Sequence, residues 1–103
     1  MINASRLKLH TELILILNSN NVYFQPPESI KINYPAIIYS RMDVNNVHAD
    51  DNIYNQKVSY KVTIIDEDPD SEIVEKMTQF KYASFDRHYT ANGLNHDQFT
   101  VVY

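Results

Sequence analysis

In ASRLKLHTELILILNSNN the apolar residues recur with a helical period. Leu7, Leu9, Leu13, Ile14, Ile16 and Leu17 cover about half of a wheel drawn at ~100° per residue. Lys8, Thr11 and Glu12 take the other half together with Leu15, and the Asn-Ser-Asn-Asn cluster supplies a polar stop. The continuous apolar run over 13–17 would also suit a strand, but its length and dense leucines favour helix. Leu15 is an apolar side chain on the polar face. A subunit contact would bury it, and so would a loop of the same chain folded over it.

The pattern then changes. VYFQPPES carries two prolines in series, each without an N–H and with fixed φ, so it predicts an extended surface connector. SIKINYPAIIYSRM predicts a strand, with Pro35 at its start or on an edge, and DVNNVHADDNIYNQ (43–56) predicts a long polar loop. KVSYKVTIID alternates cleanly: Val58, Tyr60, Val62 and Ile64 face one side, and Ser59, Lys61 and Thr63 the other. DPDSEIVEKMTQF returns to the helical period, with Ile73, Met77 and Phe80 in a stripe widened by Val74. YASFDRHYT and HDQFTVVY are strands joined through Asn92-Gly93, a hairpin signal because glycine accepts positive φ. The expected order is α-β-β-α-β-β. That is one α+β domain over 1–103, a mainly antiparallel four-stranded sheet with two helices packed on it.

Composition narrows the function classes. With no cysteine, disulfide frameworks, thiolate zinc sites and cysteine nucleophiles are excluded together. No apolar run approaches the ~18 residues of a membrane span and the start lacks a signal-peptide pattern, so a soluble, intracellularly made chain without membrane contact is expected. A net charge of −4 with scattered Lys and Arg argues against gripping a nucleic-acid backbone. Eight tyrosines and four phenylalanines are many for this length. They suit subunit interfaces, for which Tyr39 and Tyr54 are candidates, and equally a small β-rich core.

The densest chemistry lies in IIDEDPDSEIVEKM (64–77). Read from Asp66 it offers the D-x-D-x-D of a calcium loop. The turning glycine, however, is replaced by Ser71 and the closing glutamate by Met77, and a strand rather than a helix precedes it. A two-metal nuclease would need acids from other strands, such as Asp43, Asp50 and Asp51, which no spacing selects. A local reading needs less. Asp68 caps the helix, Pro69 takes its first position, and Asp70 and Glu72 favour the helix dipole, so Asp68→Ala should cost about 1 kcal/mol. Asp66 and Glu67 are left over and are assigned to a subunit boundary.

The histidines are no more suggestive. His10 sits in the apolar arc of the first helix. His88 and His96 flank the last hairpin, close enough in sequence to meet across it, with Asp86 and Asp97 nearby and no third zinc ligand. No G-x-S-x-G elbow is present, and one glycine cannot build a phosphate loop. The expectation is a protein that is not an enzyme, with no cofactor and no resident metal.

The order of motifs carries more than any one residue. A leucine-rich helix precedes a Tyr-Pro strand, then HADDNIY, YKVTIIDEDPDSEI and the closing FDRHYTANGLNHDQFTVVY. This succession, over 22–103, resembles the tail terminators and minor tail proteins of long-tailed bacteriophages, in the small lambda-type α/β family. The resemblance implies a structural virion protein of the neck, assembled in the host cytoplasm. It would form a homo-oligomeric ring, typically a hexamer, that caps the tail tube protein and meets the head–tail connector or stopper. DNA would pass through without specific binding, and an acidic lumen would repel it. The subunit-interface residues are then Leu15, Tyr39, Tyr54, Asp66 and Glu67. The lumen or partner-contacting loop holds Asp43, His48, Asp50, Asp51 and Asn52. A head-completion or joining protein is the nearest alternative, and a metal-dependent phage nuclease a more distant one.

Overall fold

The computed structural model describes the backbone of residues 2–49 and 52–103 and the side chains of 5–44 and 58–103. Helix α1, Ile2–Leu17, precedes strands β1 (Val22–Phe24), β2 (Ala36–Ala49) and β3 (Asn52–Asp66). Helix α2, Glu72–Thr78, and strands β4 (Ala83–Ala91) and β5 (Leu94–Val102) complete the order. The fold is α+β, with a five-stranded mixed sheet in the order β1-β2-β3-β5-β4.

The fifth strand corrects the four-stranded expectation. Val22, Tyr23 and Phe24 pair in parallel with Ile37, Ile38 and Tyr39. Three β-prone residues before a proline pair carry almost no periodic signal, and only the return of the chain beside β2 makes them a strand. Gln25, at φ 44°, then turns the chain off the sheet.

The helices cover one face. Leu9, Leu13 and Leu17 form a single line down α1 and bury against Ile37, Tyr39, Tyr60, Val62, Ile64, Phe99 and Val101, while Met77 brings α2 into the same core. The alternation of β3 places these residues as anticipated, and β5 repeats it with Asn95, Asp97, Phe99 and Val101 turned inward. Leu7 departs from the expected arc: it is 52% exposed, because the line of contact with the sheet is narrower than the apolar half of the wheel. Asn18, at φ 57°, ends α1 by giving its N–H to the Ile14 carbonyl at 2.8 Å. Asn92 and Gly93, both at positive φ, close the β4–β5 hairpin.

Two further expectations change. Helix α2 starts at Glu72, and its cap is Ser71, whose hydroxyl accepts from the Ile73 N–H at 3.2 Å. Asp68 instead accepts from Asp70 N–H at 2.9 Å, and Asp66 from Asp68 N–H at 3.1 Å. These two local turns use the side chains that a longer helix would have needed at its start. The segment 43–56, expected to be a loop, is in its described part strand. The β2–β3 ladder runs from Ala36↔Ile65 out to Ala49↔Asn52, with register shifts after Arg41 and after Val47. Asparagine-rich sequence has low strand propensity, and pairing propagated from the apolar base of the hairpin overrides it.

Candidate assembly surface

The hairpin outgrows the sheet that supports it. β1 covers β2 only at Ile37–Tyr39, and β5 covers β3 only from Ser59 to Asp66. Beyond Val44 and Val58 the two strands have only each other among the described residues, and they form an arm of ~20 Å at the usual rise per residue. The molecule is accordingly elongated, 52 × 29 × 22 Å. A two-stranded ribbon with no covering layer is marginal in water, so the arm is the element that gains most from a partner.

Its two outer edges differ. On β2 the root of the edge is occupied by side chains: Gln25 Oε1 accepts from the Arg41 N–H at 3.2 Å, and Asp43 Oδ1 from the Val44 N–H at 2.9 Å. On β3 the last body contact is the Tyr103 N–H on the Val58 carbonyl at 3.0 Å. Past that point no strand pairs with the outer side of β3 among the described residues. At the far side of the sheet β4 is the edge strand, its outer side met at Ala83 by the Phe80 carbonyl at 3.0 Å, with Phe85 half exposed upon it.

The residues singled out from sequence fall in different places. Leu15 is 68% exposed on α1, beside Ile14 and Asn18, and is available to a neighbour. Tyr39 corrects the interface assignment. It is 1% exposed in the core, its ring against Phe24 and Tyr60 and its hydroxyl 2.6 Å from His10 Nδ1. An inward position on a central strand leaves it no outer surface. Asp66 and Glu67 sit at the end of β3, where their carbonyls accept from the buried Asn95 amide at 3.3 and 3.2 Å. That bond ties the acidic turn to β5, a role sequence spacing could not reveal. Asp43 lies exposed at the root of the arm. His48, Asn52 and Tyr54 lie on its strands, with side chains outside the described residues, and Asp50 and Asp51 lie outside them altogether.

His10 is held below its ordinary pKa, chiefly by burial and then by the Arg6 charge, so its neutral form meets the Tyr39 hydroxyl. Burial raises the pKa of that hydroxyl, with Arg6 opposing. His88 and His96 do not meet: His88 on β4 lies opposite Asp97 and His96 on β5 opposite Tyr89, on successive rungs of the ladder whose side chains face opposite sides of the sheet. His88 Nδ1 contacts Asp97 Oδ1 at 2.7 Å on the helix side, whereas His96 stacks on Tyr89 at 4.7 Å on the open side, where Arg87 covers the same tyrosine. Among the described residues no three His, Asp or Glu side chains converge closely enough to hold a metal. An open groove of about 670 Å³ lies between the Pro26–Pro27 connector and β2, lined by Ile30, Ile32 and Ile38 together with Glu28 and Arg41. No helix of the described chain is long and apolar enough to cross a membrane.

No protein-family model matches the chain, and no curated protein matches it either.

Proposed function

We propose that this chain is a structural virion protein of a tailed bacteriophage. It acts as a tail terminator whose copies close into a ring, of six by the resemblance, on the end of the tail tube. The observation that carries the proposal is the two-stranded arm, whose strands beyond Val44 and Val58 pair only with each other among the described residues and which gains from a neighbour that covers it. The exposed Leu15 and the half-exposed Leu7 on the outer side of α1 add apolar surface of the kind a subunit contact removes from water. The motif succession in 22–103 supplies the specific setting: tail tube on one side, head–tail connector on the other, and DNA passing through a lumen that does not bind it.

Rings close when unlike surfaces of adjacent copies meet head to tail and the rotation brings the last copy back to the first. An arm on one side and an open edge on the other are surfaces of that sort. Electron microscopy of tails produced without this protein tests the role. Overlong tails are the expected result. Tails of normal length left unattached to heads would transfer the protein to the joining step, the alternative within the same neck. A large thermal stabilisation by micromolar magnesium would count instead for the metal-dependent nuclease reading.

A further inference from the structure

The β4–β5 hairpin turns on the one glycine of the chain, and that glycine follows an asparagine. We infer that Asn92-Gly93 is a deamidation site which the closed hairpin holds inert, so that the Asn92 side-chain amide is lost only while the Ala91↔Leu94 pair is open.

The reaction needs no partner but water. The Gly93 backbone nitrogen loses its proton to solvent base and attacks the side-chain carbonyl carbon of Asn92. The new C–N bond closes a five-membered imide, the bond to the side-chain nitrogen breaks, and that nitrogen leaves as ammonia. Water then opens the imide at either carbonyl. One product is aspartate in the ordinary linkage. In the other the backbone runs through the former side-chain carbonyl and is one carbon longer. Glycine obstructs the attack least, because the carbon next to the attacking nitrogen carries no side chain. Every other asparagine of the chain precedes a residue that has one. Asn92 and Gly93 are both exposed, and nothing beyond the adjoining residues lies within 4 Å of where a Gly93 Cβ would stand, so solvent base and water reach the site.

The backbone geometry opposes what the sequence invites. Asn92 and Gly93 sit at φ 55° and 75° between the paired residues Ala91 and Leu94, which makes a two-residue type I′ turn. The first turn residue of that type has ψ of roughly +30°. In an L-residue Cβ is offset by a third of a turn from the backbone nitrogen. The Asn92 Cβ therefore stands roughly 150° from the Gly93 nitrogen about the Cα–C bond, on its far side. Closing the imide requires the two to be nearly eclipsed. Asn92 ψ must swing through most of a half-circle, which carries Gly93 away and breaks the Ala91↔Leu94 pair. The added carbon of the β-linked product does not fit a two-residue turn, so a chain modified in that way stays open at the hairpin tip.

The test uses the full-length chain, incubated in mildly alkaline buffer with and without denaturing urea. Peptide mass mapping follows the exchange of amide for acid at residue 92, and NMR follows hydrogen exchange of the Leu94 amide in the folded sample. In urea, Asn92 should be the first asparagine to react. In the folded chain its loss should be at least about tenfold slower, the equilibrium effect of one backbone hydrogen bond. That slowing should match the protection of the Leu94 amide within about threefold, since both reactions wait on the same opening. Chains purified with the β-linked product should show the Leu94 amide unprotected. Asn92→Asp, with the same charge in the ordinary linkage, should keep it protected. Equal rates with and without urea would overturn the inference, as would reaction at the unfolded rate behind a protected Leu94 amide. Another asparagine reacting first in urea would remove the site itself, and a β-linked chain with Leu94 still protected would remove the gating by the turn.

Discussion

The pair His88–Asp97 allows the sharpest test of how this small sheet is held together. Asp97 points into the helix-covered face, flanked by Ile64 on β3 and His88 on β4, and is 8% exposed. A carboxylate there has left water, and the imidazole 2.7 Å away supplies the compensating hydrogen bond. His88→Ala removes the donor and leaves the buried acceptor behind. An orphaned buried polar group costs ~1–3 kcal/mol, and more when charged. The imidazole side is 43% exposed, so water can reach the vacated space and the lower part of that range applies, about 1–2 kcal/mol. Asp97→Val, which removes the charge and suits its apolar flank, should be close to neutral. The double substitution should then recover most of the loss, giving a coupling of about 1 kcal/mol in a double-mutant cycle. Urea unfolding followed by circular dichroism measures all four proteins, and a constant slope shows that the end states are shared. In a domain of this size 1 kcal/mol moves the melting midpoint by roughly 4–8 °C. A His88→Ala midpoint within a degree of the parent, or a coupling near zero, would show that Asp97 is solvated and that β4 is held by its backbone ladder alone.

Other substitutions separate the remaining assignments. Ser71→Ala should cost about 1 kcal/mol of stability in the same unfolding assay, whereas Asp68→Ala, outside the helix, should cost less; the reverse order would restore Asp68 as the cap. Leu15→Glu should leave the melting temperature within about 2–4 °C of the parent, as for an exposed site, while reducing assembly in sedimentation; an unfolded monomer would place Leu15 in the core. Mild acid should destabilise the fold through His10. Its folded pKa is lowered from 6.5, so its contribution is complete above that value and is lost as pH falls through the folded pKa, because the unfolded chain takes up the proton first. Denaturant midpoints measured on both sides of pH 6.5 should converge in His10→Gln, and an unchanged pH slope would show that other groups set it.

Much of the body was legible before any coordinates. The inward residues of β3, the line Leu9–Leu13–Leu17 and the Asn92-Gly93 hairpin each follow from a local period or a local backbone requirement. The α+β class, the absence of cysteine chemistry and the acidic balance are likewise properties of the chain itself. What the sequence left undecided depends on partners distant along the chain. Val22, Tyr23 and Phe24 form a strand only because β2 lies beside them, and Tyr39 is core only because α1 and Tyr60 close over it. Asp66 and Glu67 are held through a buried asparagine 29 and 28 residues away. The segment 43–56 shows the difference most plainly. Its asparagines and aspartates individually favour turns, yet the ladder begun at Ala36↔Ile65 carries it outward as an arm, because each added pair satisfies backbone groups at the end of a structure already nucleated. Composition made that segment polar; long-range pairing decided that it would be a strand.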